Sequence, residues 1–258
     1  MKKFQSIIAK ISPLIALAVL VGAWYLVCDA ELIPKFMLPS PGSVVKAFVN
    51  EFDLMMSHAA VTLQEAGYGL LIGLVLAFVT APLMDRFSVL YKALYPLLIV
   101  TQTIPSIAIA PLLVLWMGFD MAPKITLVVI TTFFPITVGL LNGYRSADPD
   151  TVDLFRAMGA NRFQIYRYIK FPSSLGQLFA GLRIAAAYSV VGAVISEWLG
   201  GFNGLGVYMT RVKKAYAFDK MFAVIVFISI VSLLMMALIA LLEKLAMPWL
   251  RGTKNSNK

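Results

Sequence analysis

Residues 145–183, RSADPDTVDLFRAMGANRFQIYRYIKFPSSLGQLFAGLR, form a polar, arginine-rich segment set between long apolar runs. Six basic residues lie in it (Arg145, Arg156, Arg162, Arg167, Lys170 and Arg183), with a glycine at 159 and a proline at 172. Its local signals are helical. Asp148 before Pro149 is a helix start, an N-cap side chain followed by a residue pre-set for the first turn. Asp150 and Asp153 favour the positive end of that helix. Val152, Phe155 and Met158 recur at a spacing of three and predict one apolar face. Gly159 is the expected stop, and Asn161 can cap a second short helix carrying Phe163, Ile165, Tyr166 and Ile169 up to a boundary at Pro172. Two short amphipathic helices joined by a glycine bend can seat an apolar ridge in a groove of a soluble partner.

The surrounding chain is that of a membrane protein. Of its 258 residues 60% are hydrophobic and 14% charged, and mean hydropathy is +0.84. Soluble domains hold about 45–50% apolar and about 25% charged residues. The formal charge of +9 is read as Lys and Arg retained on the cytoplasmic side, not as a nucleic-acid footprint. The single cysteine, Cys28, excludes an internal disulfide and reads as an inert small residue in a span.

Six spans are expected, at about Ile11–Val27, Ala59–Leu83, Val89–Trp116, Ile125–Leu141, Leu178–Trp198 and Phe222–Leu245. The first follows Lys2, Lys3 and Lys10 and lacks small residues at a cleavage junction, so it reads as an uncleaved span. Between the first two, LPSPGSVVKAF predicts a short amphipathic helix with Val44, Val45, Phe48 and Val49. The third is interrupted by Pro96, Pro105 and Pro111. With both termini cytoplasmic, fifteen of the 22 basic residues fall inside; Lys35, Lys46, Lys124, Arg211, Lys213, Lys214 and Lys220 fall outside. That bias makes the loop at about 145–175 cytoplasmic.

No GxxxxGK[ST] loop occurs, no His/Cys spacing suits zinc, and His58 is the only histidine. The chain is expected not to be an enzyme. No span pairs a nucleophile with a base, which leaves an intramembrane enzyme without support. Transport, or a non-transporting scaffold that recruits a cytoplasmic partner, remain as functional classes.

The loop resembles the signature of binding-protein-dependent ABC transporter permeases: Glu-Ala-Ala, three residues, Gly, nine residues, Ile-x-Leu-Pro. Asp153 takes the Glu position, Gly159 the glycine, and Ile169 and Pro172 the end; Leu154, Phe155 and Phe171 depart from the pattern. The resemblance implies that Asp153, Phe155, Ala157, Gly159, Ala160, Phe163, Ile169 and Pro172 belong to coupling helices that dock on ATP-hydrolysing subunits. LPSPGSVVKAF, IPSIAIAPLLVLWMGF and GLRIAAAYSVVGAVISEWLGG are similar to the sulfonate, taurine and nitrate branch. TLQEAGYG, TQTIPSIAIAPL and LGGFNGLGVYMTRVKKAYAFDKMFAVI are most similar to permeases for pyrimidine precursors of thiamine.

The resemblance therefore implies an all-α bundle of about six transmembrane helices with the type I importer fold, one permease domain over residues 1–258. It implies a bacterial inner-membrane location and, as partners, a cytoplasmic ATPase dimer, a second permease copy, an extracytoplasmic solute-binding protein and membrane lipid, with no nucleic acid. ATP and Mg would be bound by the partner subunits, with no cofactor in this chain. Sulfonate, nitrate, riboflavin or an amine are alternative solutes.

Candidate pathway or gate residues each have a plainer reading. Glu65, about two turns inside the second span, must face an interior, a cavity or a partner. Gln102 and Thr103 either line a path or satisfy carbonyls freed by Pro105. Glu197 closes the fifth span before Gly200, Gly201, Gly204 and Gly206, which form an outer gate or a plain loop. Trp116 and Tyr188 either stack on a planar ring or anchor the bundle. His58 reads as an interface residue, and Lys213-Lys214 as a solvated charged loop or a contact for a binding protein.

Overall fold

Helices account for every regular element in the computed structural model, which describes residues 2–34 and 36–248, with side chains from residue 11 onward. Lys35, Arg251, Lys254 and Lys258, and the side chains of Lys2, Lys3 and Lys10, all used to orient the chain, lie outside the described residues. Contacts divide the chain into two compact units: residues up to 57 with 208–227, and residues 58–207 with those from 228 on.

The smaller unit holds α1 (Lys2–Asp29), α2 (Pro41–Asn50), the first residues of α3 (Phe52–Arg86) and the turn into the last helix. Ser40 caps α2, its hydroxyl accepting from Ser43 N at 3.3 Å, with Pro41 opening the first turn. The short helix forms as expected, but its buried face is not the one expected: Val44 and Ala47 are buried with Ala223 beside Trp24, Phe48 and Phe222, while Val45 and Val49 face outward. Cys28 is buried there, its thiol 3.7 Å from the Leu38 and Pro39 carbonyls.

The larger unit is built on α6 (Met121–Arg145) and α9 (Phe171–Glu197), which run antiparallel. Their backbones touch. A Cβ placed on Gly143 would stand 2.5 Å from Ser174 Cα, and one on Gly139 would stand 2.7 Å from the Gln177 carbonyl oxygen. Small residues permit that approach where apolar packing, not water exclusion, must hold helices together. The continuous helix from Arg162 to Glu197 has 61% of its most apolar window buried, against 22% for α11 (Phe218–Ala246), so α9 is the central element.

Among the described residues five helices are long and apolar enough to cross a membrane, and a bent pair makes a sixth if it is counted as one span. That pair, α4 (Ser88–Thr103) and α5 (Ser106–Met117), is the expected third span, broken by 99° at Ile104-Pro105. The base of α4 meets the end of α6, where the Arg145 guanidinium lies 4.0 Å over the Tyr91 ring. The far end of α5 meets the opposite end of the unit, where Phe119 abuts Gly200. The pair thus runs from one end of the unit to the other.

Two further expectations are corrected. Pro172 does not end a helix. A π turn at Tyr166–Lys170, in which Phe171 N donates to Tyr166 O, widens the chain just before it and joins α8 (Arg162–Ile165) to α9. Proline lacks a donor and crowds the carbonyl four residues back, and a π turn relieves both demands. Residues 205–214 are not a charged loop but helix α10, with Leu205 and Val212 buried and Arg211, Lys213 and Lys214 in its last turn, complementing the helix dipole.

Candidate functional site

The loop after α6 is folded by its own caps. The Asp148 carboxylate accepts from Asp150 N at 3.2 Å, Thr151 N at 3.3 Å and the Thr151 hydroxyl at 2.6 Å, starting α7 (Pro149–Ala157). The Thr151 hydroxyl, then the Asp150 amide, hold the Asp148 carboxyl below the usual carboxylate range. Gly159 takes φ +86° and Ala160 N donates to Phe155 O at 2.9 Å, closing the helix. Asn161 and Gln164 form a reciprocal capping box that opens α8.

These turns bury one side and expose the other. Val152, Ile165 and Ile169 join Ala147 in a small core, with Phe155 and Ala160 packed against it. Leu154 (59%), Met158 (75%) and Phe163 (71%) stand exposed together with Ala157 and Gly159. Met158 therefore leaves the face on which its spacing had placed it with Val152. Asp153 is exposed and pairs with Arg156 at 2.7 Å. Pro172 sits in the first turn of α9.

One polar cluster roots the loop in the bundle. Asp85, in the last turn of α3, accepts from the Tyr166 hydroxyl and from Lys170 Nζ at 2.5 Å. Tyr144 packs edge-on to Tyr166 at 5.6 Å between ring centres. In the sequence Asp85 reads only as one of the charges, with Arg86, that close the second span; its partners Tyr166 and Lys170 lie more than eighty residues away.

The pathway candidates separate into two groups. Glu65 and Glu197 are fully buried at the opposite end of the unit from this loop. Lys124 Nζ donates to Glu65 Oε1 at 2.9 Å. Glu197 accepts from the Thr62 hydroxyl at 2.7 Å and from Gly206 N at 2.6 Å. Thr62 in turn accepts from Leu205 N at 2.9 Å, and His58 Nδ1 accepts from Gly204 N at 3.0 Å. The glycine turn is thereby tied down onto α3 and the end of α9. His58, read as an interface residue, is buried at 4% exposure within this network. Lys124, read as an outer loop charge, is its counter-ion.

Gln102 and Tyr188 face open space instead. Both line a cavity of about 240 Å³ with Thr101, Pro105, Ser106, Ile109 and Thr131. Both also line a second, of about 340 Å³, with Phe134, Asn142, Gln177 and Ile184. Thr103 spends its hydroxyl on Val100 O at 2.9 Å, a carbonyl that Ile104 N also reaches at 3.4 Å, and not on the Thr101 carbonyl that Pro105 leaves without its helical donor. Trp116 is 70% exposed at the end of α5 and lines neither cavity. Among the described residues no group of three or more His, Cys, Asp or Glu side chains is placed to hold a metal.

Comparison with known proteins decides the class. A family model described as the binding-protein-dependent transport system inner membrane component matches residues 69–247. The chain belongs to that family. It is a multi-pass inner-membrane ABC permease, and its relatives are transport components, not enzymes. It is 37% identical over 83% of its length to the formylaminopyrimidine transport permease protein of Halalkalibacterium halodurans, covering 86% of that protein. It is 27% identical over 90% of its length to a putative aliphatic sulfonates transport permease protein of Bacillus subtilis, covering 85% of that one. A crystal structure of an amino acid ABC transporter with histidines superposes at a TM-score of 0.61 over 76% of this chain and 94% of that one, at 17% identity, and shows the shared fold.

Proposed function

We propose that this permease imports a small thiamine precursor, a hydroxymethyl- or aminopyrimidine, delivered by an extracytoplasmic solute-binding protein. Two copies of the chain enclose the pathway, each a single permease domain with both termini cytoplasmic, in contact with membrane lipid. An ATPase dimer on the cytoplasmic side binds ATP and Mg. Closure of that dimer carries the loop from Asp148 to Lys170 with it and shifts the bundle between inward- and outward-facing states. The ATPase drives the switch because it binds one state better than the other.

One observation carries the coupling role: Leu154, Met158 and Phe163 are large apolar side chains left exposed on a loop whose own caps and core hold it folded, and we read them as an apolar ridge. Asp153, Phe155, Ala157, Gly159, Ala160, Ile169 and Pro172 shape or flank that ridge. The thiamine-precursor reading is supported by the similarity to the formylaminopyrimidine permease. Among the pathway candidates, Gln102 and Tyr188 line the route, while Glu65 and Glu197 hold the outer end of the bundle.

The test is copurification from mild detergent of wild type against a Gly159→Asp, Ala160→Asp double variant, with partners identified by mass spectrometry. An ATPase recovered with wild type and lost with the variant supports the coupling assignment. A reproducible partner that is not an ATPase, lost in the variant, favours the scaffold reading instead.

A further inference from the structure

The two cavities beside α6 share only Gln102 and Tyr188 among their lining residues. Their order along the bundle is fixed by the helices that wall them. The first is bounded by Ile130 and Thr131 on α6 and by Val191 and Gly192 on α9. The second is bounded by residues 134–142 of α6 and 177–184 of α9. Because α6 and α9 are antiparallel, both series agree. The first cavity lies toward the Lys124–Glu197 end and the second toward the coupling loop, with Gln102 and Tyr188 at their junction. The break at Ile104-Pro105 opens the first cavity, since both residues line it just after Gln102.

The lining is uncharged. No Lys, Arg, His, Asp or Glu borders either cavity. An anion leaving water needs a counter-charge or converging donors, and its desolvation otherwise opposes entry. The side chains that could supply charge nearby, Lys124 and Glu197, are buried in their own network. Hydrogen-bonding capacity at the junction is unspent: among the described residues neither the Gln102 amide nor the Tyr188 hydroxyl has a protein partner. The Thr101 and Thr131 hydroxyls, by contrast, donate to carbonyls of their own helices, at 2.7 and 3.0 Å. A primary amide offers a donor beside an acceptor, complementary to the N=C–NH₂ edge of an aminopyrimidine, and a phenol ring half-exposed at 48% offers a face for a planar ring.

We infer that Gln102 and Tyr188 form a filter between the two cavities that passes uncharged, planar solutes with a paired donor–acceptor edge and rejects sulfonate-type anions. This rests on the permease reading above and names the residues that would enforce its substrate class. The filter acts after the binding protein has released its solute, so its effect separates from binding-protein affinity.

The test uses the permease reconstituted in proteoliposomes with its ATPase and binding protein. The probes are radiolabelled 4-amino-5-hydroxymethyl-2-methylpyrimidine and taurine. Wild type is expected to accumulate the pyrimidine and not taurine. Gln102→Leu and Tyr188→Leu are expected to cut pyrimidine uptake at least tenfold with binding-protein-stimulated ATP hydrolysis within twofold of wild type. Gln102→Glu, nearly the same shape, should do likewise, which keeps the result readable if a leucine variant fails to fold. Uptake within twofold of wild type in Gln102→Glu and in either leucine variant overturns the filter. Accumulation of taurine by wild type, or of neither probe while ATP hydrolysis is stimulated, overturns the substrate class. Absence of any binding-protein-stimulated ATP hydrolysis by wild type would instead sink the permease reading beneath it.

Discussion

Lys124 Nζ lies 2.9 Å from Glu65 Oε1, and both side chains are all but sealed from solvent, at 6% and 0% exposure. A carboxylate two turns inside a span is tolerable because the opening turn of a different helix delivers an ammonium to it. The pair need not add net stability, since desolvating two charges offsets much of their attraction. Removing one partner is another matter. Lys124→Ala strands Glu65, and the expected loss is ~3–5 kcal/mol. The double variant Glu65→Gln, Lys124→Met should recover most of it. Thermal unfolding in detergent reads both; a lysine variant as stable as wild type would show that the pair is dispensable.

Gly204 holds the same network from the other side. It adopts φ +124°, and a Cβ there would stand on the Glu197 carboxylate. Gly204→Ala therefore meets backbone strain of roughly 1–3 kcal/mol and also displaces an acceptor used by Thr62 and Gly206. Lower yield and a lower melting temperature are expected, larger than for Gly67→Ala, where a Cβ meets nothing within 4 Å. Equal effects at the two positions would count against a strained, tied-down turn.

The caps of the coupling loop could be read from sequence because they act within three residues: Asp148 on Thr151, Asn161 on Gln164. Apolar runs gave the spans for a similar reason, each run recording its own burial. Lys124 and Glu65 stand 59 residues apart, and Asp85 and Lys170 stand 85 apart. Nothing local marks such partners. Pro172 misled because its usual meaning assumes an α-helical turn before it, and here that turn is π. The glycines of α6 and α9 were visible as glycines, but their close approach is a property of the pair.

Asp85 joins the end of α3 to the π turn through Tyr166 and Lys170. If loop movement reaches the bundle, this cluster is a rigid path for it. Asp85→Asn keeps the size and an acceptor for Tyr166 but removes the charge that Lys170 meets. Uptake is expected to fall several-fold while binding-protein-stimulated ATP hydrolysis falls less. Proportional loss of both would show that Asp85 supports folding or docking instead of transmission.

At the smaller unit Glu51 accepts from Lys220 and, at 3.3 Å, from the Tyr208 hydroxyl. The Lys220 hydrogen bond chiefly holds the Glu51 carboxyl below its ordinary value. A depressed carboxylate contributes stability that is present above its unfolded-state pKa of about 4.3 and is lost as pH falls through the lower folded value. The stability difference between wild type and Glu51→Gln should therefore shrink as pH falls from about 6 toward about 3. Because Glu51 and Lys220 are partly exposed, the difference should also shrink with salt. A gap that stays constant with pH would rule out this ion pair as its source.

Gly159 offers the cleanest probe of coupling because nothing surrounds it. A Cβ added there would meet no atom within 4 Å, so a side chain costs only the backbone preference at φ +86°. That cost is on the order of 1–2 kcal/mol for most residues, and Asp tolerates the left-handed region better than most. Gly159→Asp should thus insert and fold nearly as wild type. Its carboxylate would stand beside Met158 on the apolar ridge, where a docked partner would have to desolvate it. Expected are a melting temperature close to wild type, ATPase copurification reduced at least tenfold and uptake lost. Gly159→Ala, sharing the backbone strain without the charge, should retain substantial uptake. Normal uptake by the aspartate variant would remove the ridge from the coupling surface, whatever the fate of the alanine one.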